Sequence, residues 1–190
     1  MSFIDILLTL LQGAGYTLLI TFSCAATALV VGLGIAMARE LGGAWVSSLL
    51  SALVYVLRGV PMLVLLFLVF FGLPGIGIDV PPLLAMMLSL GLISGAYLSE
   101  VFRGALAAVN PGEVLAAQAM GFTRFETLRL IKIPQMLRFS VPAMVNELTT
   151  VLKYSPFAYT VGLPEITKQA MALVATTMRG IEIYAAIGLI

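Results

Sequence analysis

Two long runs without a charged side chain constrain the fold of this chain more than any other feature of its sequence. Residues 16–38 contain no Asp, Glu, Lys or Arg, and neither do residues 80–99. A helix that crosses the hydrocarbon core of a bilayer needs roughly 20 consecutive apolar residues, and both runs meet that requirement. Only 10% of the chain is charged, against about 25% in soluble domains. The sequence therefore predicts an all-α, polytopic membrane helical bundle.

Three further segments complete a bundle of about five transmembrane helices in a single domain, residues 1–190. The second span is interrupted by Arg58-Gly59-Val60-Pro61, which predicts either one broken span or a lead-in helix followed by a span. A fourth, more polar span is expected at residues 134–152. A fifth begins near Ile181, and only about ten of the roughly 20 residues it needs are present. We therefore expect the natural protein to continue beyond this sequence.

The remaining segments are predicted to be short connections. Residues 3–11 are expected to form a short interfacial or lead-in helix before the first span. Four Gly and Pro residues that precede Pro81-Pro82 mark residues 71–82, "FGLPGIGIDVPP", as a loop. Residues 153–178 are expected to be irregular. Within the first span, Gly32 and Gly34 are expected to let a neighbouring helix approach closely.

The distribution of basic residues predicts the orientation in the membrane. Five of the ten Lys and Arg residues lie between residues 103 and 138, whereas residues 72–80 contain none. Basic residues concentrate in cytoplasmic loops. The first segment is therefore expected to be cytoplasmic and the second external. Counting spans back and forward places the N-terminus outside and the end of a completed fifth span inside.

The polar segment, residues 110–135, is predicted to contain two short capped helices. Asn110 can cap a helix that has Pro111 at its first position, and Gly121 is suited to end that helix in a left-handed conformation. Thr123, followed three residues later by Glu126, is a second capping signal. That second helix is expected to run to about residue 133, where a proline interrupts it.

Two interpretations of the polar segment follow from its spacing. It can be an interfacial amphipathic helix that returns the chain to the bilayer, with its basic residues on lipid headgroups. It can instead be a docking surface for another protein. In that case an Ala-rich face permits close approach, and Phe122 and Phe125 supply aromatic anchors.

Several function classes are excluded by composition and motifs. A net charge of +1 argues against a nucleic-acid-binding face. The chain has no His and a single Cys, so it lacks the usual zinc ligand sets and cannot form a disulfide within one chain. It contains no G-x-x-x-x-G-K-[ST] phosphate loop and no G-x-S-x-G arrangement. ATP binding by that route and intramembrane proteolysis are therefore not supported.

The predicted fourth span carries a candidate substrate path. Asn146, Thr150 and Lys153 fall at i, i+4 and i+7 and form one polar stripe, with Glu147 on a neighbouring face. Ionisable groups at membrane depth are functional candidates. The alternative for Asn146 and Glu147 is interhelical hydrogen bonding. The alternative for Lys153 is a side chain that reaches the interface from a helix end.

A hinge and a gate are the second set of candidates. Arg58, Gly59 and Pro61 can form a hinge, because proline removes a helical hydrogen bond, or a fixed kink that does not move. Glu100 and Arg103 lie three apart on one helix face. They can form an intrahelical pair at the cytoplasmic boundary or act as a gate.

The chain resembles the permease subunit of a bacterial ABC importer for polar amino acids, a family with a signature Glu-Ala-Ala loop. The resemblance rests on stretches that follow one another in the family's order: "RGVPMLVLLFLVFFGLP", "GAYLSEVFRGALAAVNPGE", "AAQAMG", "IKIPQMLR", "NELTTVLKYSP" and "GLPEITKQA". It implies the type I importer permease fold and a multi-pass protein of the bacterial inner membrane.

The resemblance also implies partners and roles. The coupling helix, which would sit in a cleft of a cytoplasmic ABC ATPase dimer, comprises Ala116, Ala117, Ala119, Met120, Gly121, Phe122, Thr123, Arg124 and Phe125. ATP and Mg would be held by that ATPase, with no cofactor bound by this chain, which would be non-catalytic. The other implied partners are a second permease chain, identical or different, and an extracytoplasmic amino-acid-binding protein. The family's Lys-acid-Ser/Thr cluster adds Tyr154 and Ser155 to the candidate substrate path.

Two positions depart from the family pattern. Leu115 stands where the signature begins with Glu, and Glu113, two positions earlier, points about 200° away on a helix. Either the docking surface is more apolar at Leu115, or other contacts hold the loop. Tyr154 stands where the family has an acid. Glu147 and Lys153 then remain as partners for the ammonium and carboxylate of a substrate.

Two other functions compete with the importer subunit. One is an ATP-independent secondary transporter or channel, against which the sequence shows no inverted repeat. The other is an inert membrane scaffold. The discriminating feature is whether activity requires ATP that is supplied by another chain.

Overall fold

The computed structural model describes residues 3–189, with side chains from residue 6 onward, and the described elements are helical. The α-helices are α1 Phe3–Leu41, α2 Ala44–Gly59, α3 Met62–Phe67, α4 Pro82–Met86, α5 Leu92–Ala107, α6 Pro111–Ala119, α7 Arg124–Thr127, α8 Ile133–Tyr154, α9 Ile166–Thr177 and α10 Gly180–Ile187. Single π-helical turns occupy Leu68–Gly72, Met87–Gly91 and Leu128–Lys132, and 3₁₀-helical turns occupy Leu73–Ile76 and Ser155–Val161. The predicted all-α membrane bundle is confirmed.

Within the described residues, two helical stretches are long and apolar enough to cross a membrane, Ile6–Leu41 and Pro82–Ala107. The pair formed by Ala44–Gly59 and Met62–Ile76 meets the same criteria only when taken together, with a bend of 100°. The break therefore lies where the sequence predicts it. Val60 adopts an extended conformation because the residue before a proline is excluded from the helical region. α8 has 22 residues but is too polar to qualify on composition.

α1 is one continuous helix, so the separate short helix predicted at residues 3–11 is wrong. Its N-terminal half packs against α9. A Cβ on Gly13 would stand 2.7 Å from the Cα of Ile166, and the Ile166 N–H donates to Thr17 Oγ1 at 3.2 Å. Gly13 therefore allows two helices to touch and does not break the helix.

The long contact between α1 and α5 forms the centre of the bundle. It is built on small residues: a Cβ on Gly32 would lie 2.8 Å from Leu98 Cβ, and a Cβ on Gly95 would lie 2.9 Å from Val31 Cβ. The expectation of a close approach is confirmed for Gly32. It is wrong for Gly34, whose Cβ would have no described atom within 4 Å.

Of three further predicted boundaries, two are corrected. The helix that contains the uncharged run 80–99 continues to Ala107, so Glu100 and Arg103 lie on one helix as predicted, and Glu100 is paired with Arg39 and Arg103. Pro134 does not interrupt the helix, contrary to the prediction. α7 runs through the π-helical turn Leu128–Lys132 into α8, and that turn changes the hydrogen-bonding pattern just before the proline. The predicted loop 71–82 stays helical to residue 76 and turns at Gly77, whose φ is 83°.

The prediction that residues 153–178 are irregular is wrong as well. The 3₁₀ turn and α9 fill most of this segment. Glu165 is the N-cap of α9, and its buried carboxylate accepts the N–H groups of Thr167 and Lys168 at 2.8 and 2.7 Å. Ser, Thr, Asp and Asn are the preferred N-caps, so a Glu cap escapes pattern analysis. α10 begins one residue before Ile181, where the fifth span is predicted to start.

Candidate functional site

A polar cavity of about 490 Å³ lies where the break between α2 and α3 meets α5 and α8. Its volume is within the range of small-molecule sites, about 300–1,000 Å³. Three parts of the chain line it. The break contributes Arg58, Gly59, Val60, Pro61 and Met62, and the helix that contains α5 contributes Leu90, Ile93, Ser94 and Tyr97. α8 contributes Asn146, Glu147, Thr150 and Tyr154.

The polar cavity contains one group of each charge. The guanidinium carbon of Arg58 lies 4.7 Å from the ring centroid of Tyr97, a cation–π contact that orients the arginine. The Ser94 hydroxyl lies beside the carboxyl of Glu147 on α8. The amide of Asn146 adds a group that can both donate and accept hydrogen bonds. Such a set can bind a molecule that carries an ammonium and a carboxylate.

Helix periodicity and the break together explain this arrangement. Asn146, Thr150 and Tyr154 recur every four residues, so they share one face of α8. The Thr150 hydroxyl donates to the carbonyl of Asn146 at 3.0 Å, and its oxygen can still accept a hydrogen bond. The 100° bend directs α3 away from α2 and exposes the break to this face.

The structure brings together two sets of residues that the sequence predicts separately. The predicted hinge residues and four predicted path residues line one cavity: Arg58, Gly59, Pro61, Asn146, Glu147, Thr150 and Tyr154. Lys153 and Ser155 lie outside the described lining of this cavity. Lys153 is exposed, and the buried Ser155 donates its hydroxyl to the carbonyl of Leu152 at 2.8 Å.

Sequence reasoning missed Ser94 and Tyr97. Both lie on α5, inside an uncharged run that is interpreted only as a membrane span. The available signal was Tyr97, an aromatic residue among small ones, one turn before Glu100.

Glu100 and Arg103 form the predicted intrahelical pair. Arg103 Nη2 lies 2.8 Å from Glu100 Oε2, and Arg39 Nη1 at the end of α1 lies 2.5 Å from Glu100 Oε1. The pair therefore also joins two helices, α1 and α5. Its role as a gate remains a prediction.

The caps predicted in the polar segment are confirmed. The Asn110 side chain accepts the N–H of Gly112 at 2.8 Å. Thr123 N–H donates to Glu126 at 2.8 Å, and Glu126 N–H donates to Thr123 Oγ1 at 3.2 Å, which completes a capping box. The hydrogen bond from the Thr123 backbone holds the pKa of Glu126 below its ordinary value. Gly121 has a φ of 88°, as a left-handed helix end requires.

The predicted coupling residues differ in exposure. Ala116, Ala119, Met120, Gly121, Thr123, Arg124 and Phe125 are exposed, Ala117 is buried, and Phe122 is half-buried. Phe122 lines two cavities at the segment, and its role as an anchor remains a prediction. Phe125 is 58% and Met120 is 77% exposed, which leaves an apolar surface available to a partner.

The contacts of the charged side chains bear on the two interpretations of the polar segment. Arg124 and Lys132 turn towards Glu40 at the end of α1, not outward to headgroups. Gln135 Nε2 donates to Glu113 Oε2 at 2.5 Å, which ties α6 to α8. Leu115 is exposed. Both alternatives for the departure at Leu115 therefore remain open: Leu115 adds an apolar side chain to this surface, and the contact between Gln135 and Glu113 holds the loop.

Replacing Thr123 with Ala is expected to remove the capping box and destabilise the start of α7 by about 1 kcal/mol. Amide hydrogen exchange in residues 124–128, followed by mass spectrometry, should accelerate about fivefold. Thr123→Ser keeps the hydroxyl and serves as the control. Equal exchange in the Ala and Ser variants would show that the cap contributes nothing.

Comparison with known proteins places this architecture in a family. The family described as binding-protein-dependent transport system inner membrane component matches residues 30–190. The chain is 37% identical over 175 residues to the histidine/lysine/arginine/ornithine transport system permease protein HisQ of Escherichia coli strain K12, covering 84% of this chain and 75% of that protein. It is 32% identical over 181 residues to the glutamine transport system permease protein GlnP of the same strain, covering 94% and 82%.

A solved structure gives the same result for the fold. One chain of the crystal structure of an amino acid ABC transporter with histidines superposes with a TM-score of 0.87 at 30% identity, covering 100% of this chain and 90% of that one. This chain belongs to the family of inner membrane components of binding-protein-dependent transport systems. It has the type I importer permease fold, and nothing in the comparisons favours a self-contained transporter or channel.

Proposed function

We propose that this chain is the non-catalytic, membrane-spanning permease subunit of an ATP-driven importer, and that it translocates a polar amino acid delivered by an extracytoplasmic binding protein. The observation that carries the proposal is the polar cavity, which holds Arg58 and Glu147 together within a membrane bundle. The names of two relatives, which refer to histidine, lysine, arginine, ornithine and glutamine, support a polar amino acid as the substrate class.

The polar cavity binds the two charged ends of the amino acid separately. Arg58, oriented by Tyr97, receives the carboxylate, and Glu147 receives the ammonium. Asn146, Thr150 and Tyr154 hydrogen-bond to the remaining polar atoms. The break at Pro61 is the hinge about which α2 and α3 change their angle as the cavity opens to either side.

The partners follow from the open surfaces of the chain. The coupling helix docks in a cleft of the cytoplasmic ATPase dimer, which holds ATP and Mg, while this chain binds no cofactor. A second permease chain supplies the other half of the central path, because one small bundle encloses only part of it. The coupling helix is cytoplasmic, the N-terminus is external, and the lipid bilayer surrounds the remaining apolar surface.

Lys153 lies on the central path that this chain forms together with the second permease chain. It is exposed on α8, beyond the polar cavity of its own chain. Lys153→Ala is therefore expected to abolish uptake of the labelled amino acid while leaving assembly with the ATPase intact. Lys153→Arg keeps the charge and is expected to retain uptake. Wild-type uptake by the Ala variant would remove Lys153 from the path.

Co-purification from membranes tests the proposed function. The full-length protein, tagged and extracted in mild detergent, should carry with it a soluble ATPase that hydrolyses ATP. If no ATPase accompanies it under conditions that preserve the bundle, the importer subunit is the wrong function. An ATP-independent transporter or channel then becomes the better hypothesis.

A further inference from the structure

The cytoplasmic end of α1 is held by two cations from the polar segment. Arg124 Nη2 donates to the backbone carbonyl of Glu40 at 2.5 Å, and Lys132 Nζ forms an ion pair with the Glu40 carboxylate. The Glu40 carbonyl lies in the last turn of α1, where carbonyls lack helical partners and the helix dipole favours a cation. Residues 84 and 92 positions away in the sequence therefore converge on one residue.

Arg39, the residue before Glu40, connects α1 to α5. Arg39 pairs with Glu100 on α5, and Glu100 follows Tyr97 of the polar cavity by one helical turn. α1 and α5 also pack through glycines along the length of their contact. A displacement at Glu40 is therefore passed to α1 and, through Arg39, to the α5 wall of the polar cavity.

The environment of these pairs makes them stronger than surface ion pairs. The side chains of Lys132 and Glu40 are 20% and 30% exposed, and those of Arg39 and Glu100 are 11% and 23% exposed. Partly buried pairs are screened less by salt than exposed ones. The ion pair that joins the polar segment to α1 is therefore screened less by salt than an exposed pair would be.

The chain itself explains why such a connection is needed. α8 is continuous with α7 through residues 128–132, so it follows any motion of the polar segment directly. α1 is far away in the sequence and has no such continuity. α5 and α8 each join the polar segment through a few residues, 108–110 and 128–132, whereas α1 is tied to that segment at this end through Glu40.

We propose that Glu40 is a positioning residue that couples motion of the ATPase-facing polar segment to α1 and, through Arg39 and Glu100, to the wall of the polar cavity. The proposal rests on the proposed function, because it requires an ATPase to move the segment. Glu40 touches neither ATP nor substrate and acts through its two cationic partners.

The test uses the complete transporter with its co-purified ATPase and binding protein in proteoliposomes. Three quantities are measured: the amount of ATPase retained, the basal ATPase rate, and the substrate molecules taken up per ATP hydrolysed. Glu40→Gln and Lys132→Met are expected to retain the first two and to lower the third roughly tenfold. The double variant is expected to be no worse than either single one, because both remove the same interaction.

Matched controls separate positioning from structural damage. Lys132→Arg keeps the cation and should retain wild-type uptake per ATP. Glu182→Gln removes the carboxylate of another ion pair, with Arg179 on α10, and should have no effect. Wild-type coupling in Glu40→Gln and Lys132→Met, independent multiplying losses in the double variant, or loss of the ATPase from both single variants would each overturn the proposal. Absence of an ATPase from the wild-type protein would instead refute the proposed function.

Discussion

Gly121→Arg is expected to reduce co-purification of the ATPase to background and to abolish uptake. Gly121 ends α6 with a φ of 88°, and the N–H groups of Gly121 and Phe122 donate to the carbonyls of Gln118 and Ala117, each at 3.0 Å. This is a glycine-dependent helix end. An arginine there costs about 1–2 kcal/mol in the left-handed conformation and adds a charge to the apolar surface around Phe125. A Cβ itself meets no described atom within 4 Å, so the effect does not arise from a clash inside the bundle.

Gly121→Asn is the matched control for this prediction. Asparagine tolerates the left-handed conformation and adds no charge. It should retain the ATPase and most of the uptake. Thermal unfolding of the detergent-solubilised bundle should be similar in both variants. Full ATPase binding by Gly121→Arg would show that the segment is not the docking surface.

Glu147→Gln is expected to lower uptake by about 10- to 100-fold, because a hydrogen bond to a charged group contributes about 1.5–3 kcal/mol. The substitution keeps the size of the side chain and removes the carboxylate of the polar cavity. The loss should appear mainly as weaker substrate binding, with the ATPase still attached. Uptake as a function of substrate concentration measures it.

Thr149→Val provides the positional control. Thr149 is exposed on α8 outside the polar cavity, and its hydroxyl donates to the carbonyl of Val145 at 3.0 Å. We expect this variant to transport normally. If Glu147→Gln transports like the wild type, the ammonium of the substrate is recognised elsewhere.

Local features were predictable because they depend on neighbours in the sequence. The caps at Asn110 and Thr123 and the break at Pro61 follow from side-chain chemistry within a few residues, and the structure confirms them. The long uncharged runs likewise predicted the membrane helices. Glu165 shows the limit of this approach, since it caps α9 from a fully buried position, which no local pattern reveals.

Which residues from distant parts of the sequence come together in the fold was not predictable in the same way. Arg58 and Glu147 were assigned to a hinge and to a path, and only the packing of α5 between them places both in one cavity. Arg58 acquires its orientation through the cation–π contact with Tyr97 on α5, which lies 39 positions away in the sequence. Glu40 has no motif of its own, because both of its partners are more than 80 residues away. Charge in the polar segment therefore holds the segment against α1, in addition to the docking role that we propose for it.

The most direct test of the central claim is ATP-driven accumulation in proteoliposomes. The complex purified with its ATPase is reconstituted, a labelled polar amino acid and the binding protein are placed outside, and ATP with Mg is sealed inside. We expect accumulation against the gradient only when ATP is inside, and about 10- to 100-fold less of it in the Glu147→Gln variant at low substrate concentration. Equal uptake without ATP, or accumulation driven by an ion gradient alone, would contradict the central claim.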